Sequence, residues 1–312
     1  MAKSCFSVLQ NPVQLEGKRA EGISRILERY GNHPQVNAEI TIAERWSAEY
    51  FSLEKASRFS ALARDAKASI LKKLEQTIVG EIQLIEVAGM AFTAKMASLA
   101  PSVEERELYS FFAADEARHF QLISQISSPP DPETVKKNSF LRFIGELIDT
   151  QNPEPLVFFI QVFLEGWGIH YYGGLSRACK DLRTKQTLDS IIKDEASHHG
   201  SGLLLFQEAK LPQQEQQFIQ ETMGFFLDAI RIGPQSLTKT LADACGGLSE
   251  AEVVQFLQEI EFQKKVATDL GHIRSILQKS DSVELLKRFE AKKAFELPNI
   301  KDCAKAIISS WS

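Results

Sequence analysis

Two pentapeptides, DEARH at Asp115–His119 and DEASH at Asp194–His198, each place a histidine three residues after a glutamate. On an α-helix, positions i and i+3 share one face a turn apart. Glu116 with His119, and Glu195 with His198, can therefore each aim a carboxylate and an imidazole at one point. That mixed oxygen and nitrogen donor set suits Fe or Mn better than structural Zn, which prefers thiolate and imidazole. A single Glu-x-x-His is weak evidence, since chance supplies about one in a chain or two of this length. Taken alone, either motif reads as a surface pair.

The repeat strengthens the reading. Glu116 and Glu195 are 79 residues apart, and the same offset carries Glu86 to Glu165, Gly89 to Gly168 and Phe92 to Tyr171. Each half thus holds a lone glutamate followed 30 residues later by Glu-x-x-His. If each half is an antiparallel helix pair turning near Pro101 or Lys180, the two glutamates of a half stand equally far from the turn, about 20 Å along each helix. Their helix faces are apolar: Val79, Ile82 and Met90 flank Glu86, Phe112, Phe120 and Ile123 flank Glu116, Phe158, Val162 and Ile169 flank Glu165, and Leu188, Ile191 and Ile192 flank Glu195. An unpaired carboxylate buried there would cost several kcal/mol or remain protonated. A cation resolves that conflict.

The elements needed to position these residues are helical. Apolar residues recur at three- and four-residue spacing nearly throughout, with little strand-like alternation. The pattern predicts helices over 65–100, 102–126, 139–150, 154–178, 181–209, 213–231 and 249–278. Ser102 with Glu105, and Ser249 with Glu252, are capping-box signals, and Pro129–Pro130 is a stop. With no Gly/Ser- or Pro-rich linker, the expectation is a single all-α domain over 1–312, with a metal-binding four-helix centre at about 65–209.

Composition limits the function classes. The net charge is −5 and no Lys/Arg-rich block appears, so the expectation is no nucleic-acid partner. The N-terminal stretch lacks the apolar core of a signal peptide, and no uninterrupted apolar run spans a bilayer, giving an expectation of no membrane. Cys5, Cys179, Cys245 and Cys303 form no CxxC and read as reduced thiols of a cytoplasmic protein.

Glu86, Glu116-x-x-His119, Glu165 and Glu195-x-x-His198 together resemble the ligand pattern of the ferritin-like carboxylate-bridged di-iron proteins, over roughly residues 65–209. The resemblance implies a ferritin-like four-helix bundle with additional flanking helices, and two Fe ions, with Mn/Fe an alternative. It pairs Glu86 with His119 on one metal and Glu165 with His198 on the other, with Glu116 and Glu195 bridging. The metal ligands would also be the catalytic residues. Asp115 and Asp194, each preceding a motif glutamate, would orient the histidine of the opposite motif.

The implied activity is O₂-dependent oxidation of a small organic substrate, as a monooxygenase, N-oxygenase or oxidase. The alternatives are ferroxidase or peroxidase work of the ferritin–rubrerythrin type, and a non-catalytic metal-binding bundle. More than half of the chain lies outside the centre and no rubredoxin-like CxxC pair is present, which favours the oxygenase reading. With no flavin, haem or iron–sulfur motif, an external electron donor is expected; a homodimer is possible. Phe111, Phe112, Phe158, Phe159, Trp167, Tyr171 and Tyr172 would suit an apolar or aromatic substrate cavity, and core packing explains them equally well.

Other residues have plainer readings. Glu81 pairs with Ile160 at the 79-residue offset and is expected to face solvent. His170 and His199 are expected on polar faces or behind the ligands, and His33 and His272 in structural roles. Tyr109 and Tyr172 are expected to pack. Gly89 and Gly168 either allow close helix packing or leave space for O₂ and substrate.

Overall fold

The computed structural model describes residues 17–30, 44–127, 138–207 and 210–311. Cys5, His33 and the Pro129–Pro130 stop lie outside them. Among the described residues the chain is all-helical, with no strand. It divides into two compact units, one of residues 1–43 and 76–156, the other of residues 44–75 and 157–312.

The smaller unit contains α1 (Gly17–Tyr30), most of α3 (Arg64–Leu99), α4 (Val103–Ser124), α5 (Ser139–Thr150) and α6 (Pro153–Leu156). Pro101 separates α3 from α4, and the Ser102 hydroxyl accepts the Glu105 amide to start α4. The two helices run antiparallel. Near the turn, Phe92 meets Tyr109 edge-on at 6.1 Å between centroids, and farther away Gln83 donates to Ser124 Oγ at 2.7 Å. Asn138 caps α5 by accepting the amides of Phe140 and Leu141.

The larger unit contains α2 (Ser57–Ser60) and the first part of α3. A π-helical segment follows (Val157–Leu164), then α7 (Glu165–Ala178), α8 (Leu182–Leu205) and α9 (Gln213–Ile232). It ends with α10 (Gln235–Ala244), α11 (Glu250–Glu259), α12 (Phe262–Lys279), α13 (Val283–Ala291) and α14 (Ile300–Ser309). Asp181 caps α8 by accepting the Thr184 amide at 2.7 Å. The segment, α7 and α8 form the second hairpin, held at its turn end by Ser176 donating to Asp189. Trp46 is buried and donates its indole N–H to the Leu175 carbonyl, anchoring the preceding chain to α7.

Three of the expected helices are corrected. The predicted helix over 249–278 is two helices, because Glu261 adopts a left-handed conformation (φ 51°) that no regular helix accommodates. Its exposed carboxylate accepts from Lys264 and Lys55, and these hydrogen bonds hold its pKa down at about 2. The predicted helix over 154–178 contains the π segment, and α8 stops at Leu205 instead of 209. The helix α3 is long and apolar enough to cross a membrane by length and hydropathy, and 56% of its most apolar window is buried within the fold. A core helix passes the same test.

Candidate metal centre

The first hairpin brings Glu86, from α3, to Glu116 and His119, from α4. All three are almost fully buried, at 1%, 3% and 0% exposure. Imidazole Nδ1 of His119 lies 3.3 Å from Glu86 Oε2 and 3.9 Å from Glu116 Oε2. A ligand atom from each residue lies within 4.8 Å of the others, so the triad could hold a metal ion. The second hairpin does the same with Glu165, the first residue of α7, and Glu195 and His198 of α8. His198 Nδ1 stands 3.5 Å from Glu195 Oε2. Glu195 and His198 are buried, whereas Glu165 is half-buried. All six residues singled out from the sequence are thus gathered into two chemically identical triads.

The backbone is shaped around the first of them. A Cβ added at Gly89 would sit 2.3 Å from Glu116 Oε2 and 2.6 Å from its carboxyl carbon. Only a residue without a side chain leaves that carboxylate its place. The residues present therefore fit a cation: two carboxylates and one imidazole, packed within contact distance on apolar faces. Such an assembly is expensive to bury unless positive charge is supplied.

The neighbouring residues fall into four groups. Asp115 and Asp194 are half-buried. Asp115 accepts from the Arg118 guanidinium at 3.0 Å. Tyr109 and Tyr172 are buried, and Tyr109 stacks edge-on against Phe92 and Phe112, as packing residues do. Phe158 and Phe159 are fully buried, but Phe111 is 63% exposed and is no part of an apolar lining, because it lies on the solvent side of α4. Gly168, unlike Gly89, faces open space: nothing lies within 4 Å of a Cβ built there.

Among the described residues, the histidines outside the triads have defined partners. The Gln161 carbonyl can only accept, so His199 donates to it from Nδ1, at 3.1 Å. Burial lowers the His199 pKa, opposed by backbone hydrogen bonds at Gln161 and Val162. His272 donates from Nε2 to the Gly166 carbonyl at 3.1 Å. It also stacks on His170 at 4.2 Å, and Asp269 stands 3.9 Å from His170. Burial, then the His272 charge, lower the His170 pKa.

Glu81 is the clear miss. It is half-buried, not solvent-facing, and Asn138 Nδ2 donates to its Oε1 at 2.5 Å. Burial raises its pKa to about 7, partly offset by that hydrogen bond. Gln161 was also overlooked. It is 1% exposed, and its Nε2 donates to Ser201 Oγ at 3.0 Å and the His198 carbonyl at 3.4 Å. A lone amide inside the apolar run VFFIQVFL was the available signal.

No protein-family model, curated protein or solved structure matches the chain.

Proposed function

We propose that the protein is an O₂-activating di-iron oxygenase or oxidase of a small organic substrate. It would bind one metal ion at each triad. The observation that carries the reading is the duplication: two Glu/Glu/His triads of the same make-up, 79 residues apart, each gathered by its own hairpin. Ferritin-like di-iron bundles use this ligand set. Bound iron would supply the redox chemistry, with electrons from an external donor.

The chain's own residues supply geometry. Glu86, Glu116 and His119 would hold one ion in a dry pocket, with Gly89 leaving room for the Glu116 carboxylate. Glu165, Glu195 and His198 would hold the other. The half-buried Glu165 and the open space at Gly168, one turn further along α7, would make this side the approach for substrate. The burial of the triads limits water around a reactive site.

Iron stoichiometry in air tests the reading. Anaerobic Fe(II) titration should saturate at about two equivalents per chain, following the superfamily's site design. Excess Fe(II) in air should leave the content near that value. Gly168→Leu should keep the metal and lose turnover of an accepted substrate. Uptake of tens of iron atoms per chain would instead establish the ferroxidase alternative, and failure to bind iron would reject both.

A further inference from the structure

The two hairpins carry equivalent ligands on different backbones. Residues 78–85, ahead of Glu86, lie within the uninterrupted α-helix α3, whereas their 79-residue counterparts 157–164, ahead of Glu165, are π-helical. A π segment inserts an extra residue into the helical register, and such segments recur at functional sites. Here it ends directly at Glu165. The register of the π segment therefore decides where that carboxylate points.

A helix that changes from i+5 to i+4 hydrogen bonding cannot satisfy every carbonyl from its own ladder. Two carbonyls at this change take imidazole N–H groups: Gln161 from His199 and Gly166 from His272. The Gln161 side chain reaches back to Ser201 Oγ and the His198 carbonyl, on the helix that carries the other two ligands. α8 can come this close because residue 202 is glycine. A Cβ there would stand 2.5 Å from Gln161 Cβ and 2.9 Å from the Gln161 carbonyl carbon.

The molecule contains its own control. At the 79-residue offset, Gln161, His199 and Gly202 correspond to Ile82, Phe120 and Ile123. Where the helix is regular, all three positions are apolar and bulky; where it is π-helical, they are an amide, an imidazole and no side chain. We infer that Gln161, His199 and Gly202 form a polar lock that holds the π segment and sets the position of the Glu165 carboxylate. They are positioning residues for the second triad. The inference rests on the metal reading above only through what the triad binds.

The test replaces His199 by its own counterpart. In full-length His199→Phe, amide hydrogen exchange across 157–164 should quicken about tenfold or more as the segment opens more often. Exchange across 78–85 should stay unchanged. In Co(II) titration, one of the two sites should weaken by about 10- to 100-fold, the effect usual for residues supporting a metal ligand. His199→Asn, whose side-chain amide can still donate near the Nδ1 position, should restore most of both. Ser201→Ala, which removes one of the two acceptors of the Gln161 amide together with the hydroxyl's own bond to the His198 carbonyl, should fold normally and shift both readouts in the same direction by less. The lock is overturned if His199→Phe and Ser201→Ala leave exchange and both affinities unchanged. It is equally overturned if His199→Asn, folded, behaves as badly as His199→Phe, since bulk rather than hydrogen bonding would then be responsible. If the wild-type protein binds no Co(II), the metal reading fails, and the exchange measurement alone decides the lock.

Discussion

The first triad is flanked by a regular helix, apolar neighbours and one glycine pressed against the Glu116 carboxylate; the second is flanked by a π-helical segment, the buried Gln161 amide with the half-buried His199, and a glycine facing open space. Both present two glutamates and a histidine. The side chains of the triads are therefore duplicated while their support is not. A carboxylate on an unbroken α-helix inherits its direction from the helix axis and needs only room, which Gly89 provides. A carboxylate at the end of a π segment has a direction that depends on side-chain hydrogen bonds, because the ladder alone does not define it. The first triad is the more closely packed; beside the second, Glu165 is half-buried and Gly168 faces open space.

The largest expected effect breaks this comparison on the closed side. Helix propensity by itself would favour Gly89→Ala by about 1 kcal/mol. The new Cβ, however, would lie 2.3 Å from Glu116 Oε2, far inside the separation of about 3.5–4.0 Å at which non-bonded carbon atoms rest. The carboxylate must move, so collision outweighs propensity. Metal affinity at the first triad should fall by at least about 100-fold, the upper end of what supporting residues produce. Isothermal titration with Co(II), beside a circular-dichroism check of folding, measures this. Full-affinity loading of two equivalents would show that Glu116 has another place to go.

A smaller effect distinguishes the halves by pH. Glu81 in the first half corresponds to buried Ile160 in the second, and burial raises its pKa from 4.5 to about 7. Between those values the folded state holds more protons than the unfolded state. Stability therefore falls as pH rises through this window, and the loss is complete above pH 7. The whole effect is at most about 3 kcal/mol, less any relaxation by water at this half-buried group. Glu81→Gln keeps an acceptor for Asn138 and cannot ionise. Urea midpoints at pH 5 and pH 8 should converge in the variant, which should exceed wild type at pH 8. Equal slopes in the two proteins would mean that Glu81 ionises freely.

What could be read from the sequence, and what could not, divides along the same physical line. Glu86, Glu116, His119, Glu165, Glu195 and His198 were legible because helical spacing and a constant offset both act over many residues. The hairpins were legible for the same reason, through the turn at Pro101 with its Ser102 cap and the turn near Lys180. The π segment was not, since VFFIQVFL is apolar all round and gives no periodicity to measure. The break at Glu261 was hidden as well: a left-handed glutamate flanked by neither glycine nor proline leaves no local signal, and its partner Lys55 is far away in sequence. Glu81 misled because a charged residue on an otherwise amphipathic helix reads as solvated, and only the placement of Asn138 reveals its burial.

The smallest expected effect sharpens the comparison on the open side. Gly168 occupies the interior of α7, where glycine costs about 0.5–1 kcal/mol relative to alanine through backbone entropy. Nothing lies within 4 Å of a Cβ built there, so no contact opposes the replacement. Gly168→Ala should accordingly raise stability by up to about 1 kcal/mol and leave Co(II) affinity at both triads unchanged. Its counterpart Gly89→Ala, the same chemical change at the equivalent position, should do the opposite to metal binding. Chemical denaturation of the two variants side by side, with metal titration of each, compares them directly. If Gly168→Ala weakened metal binding as much as Gly89→Ala, the second triad would be as tightly enclosed as the first, and the case for substrate approach along this face of α7 would fail.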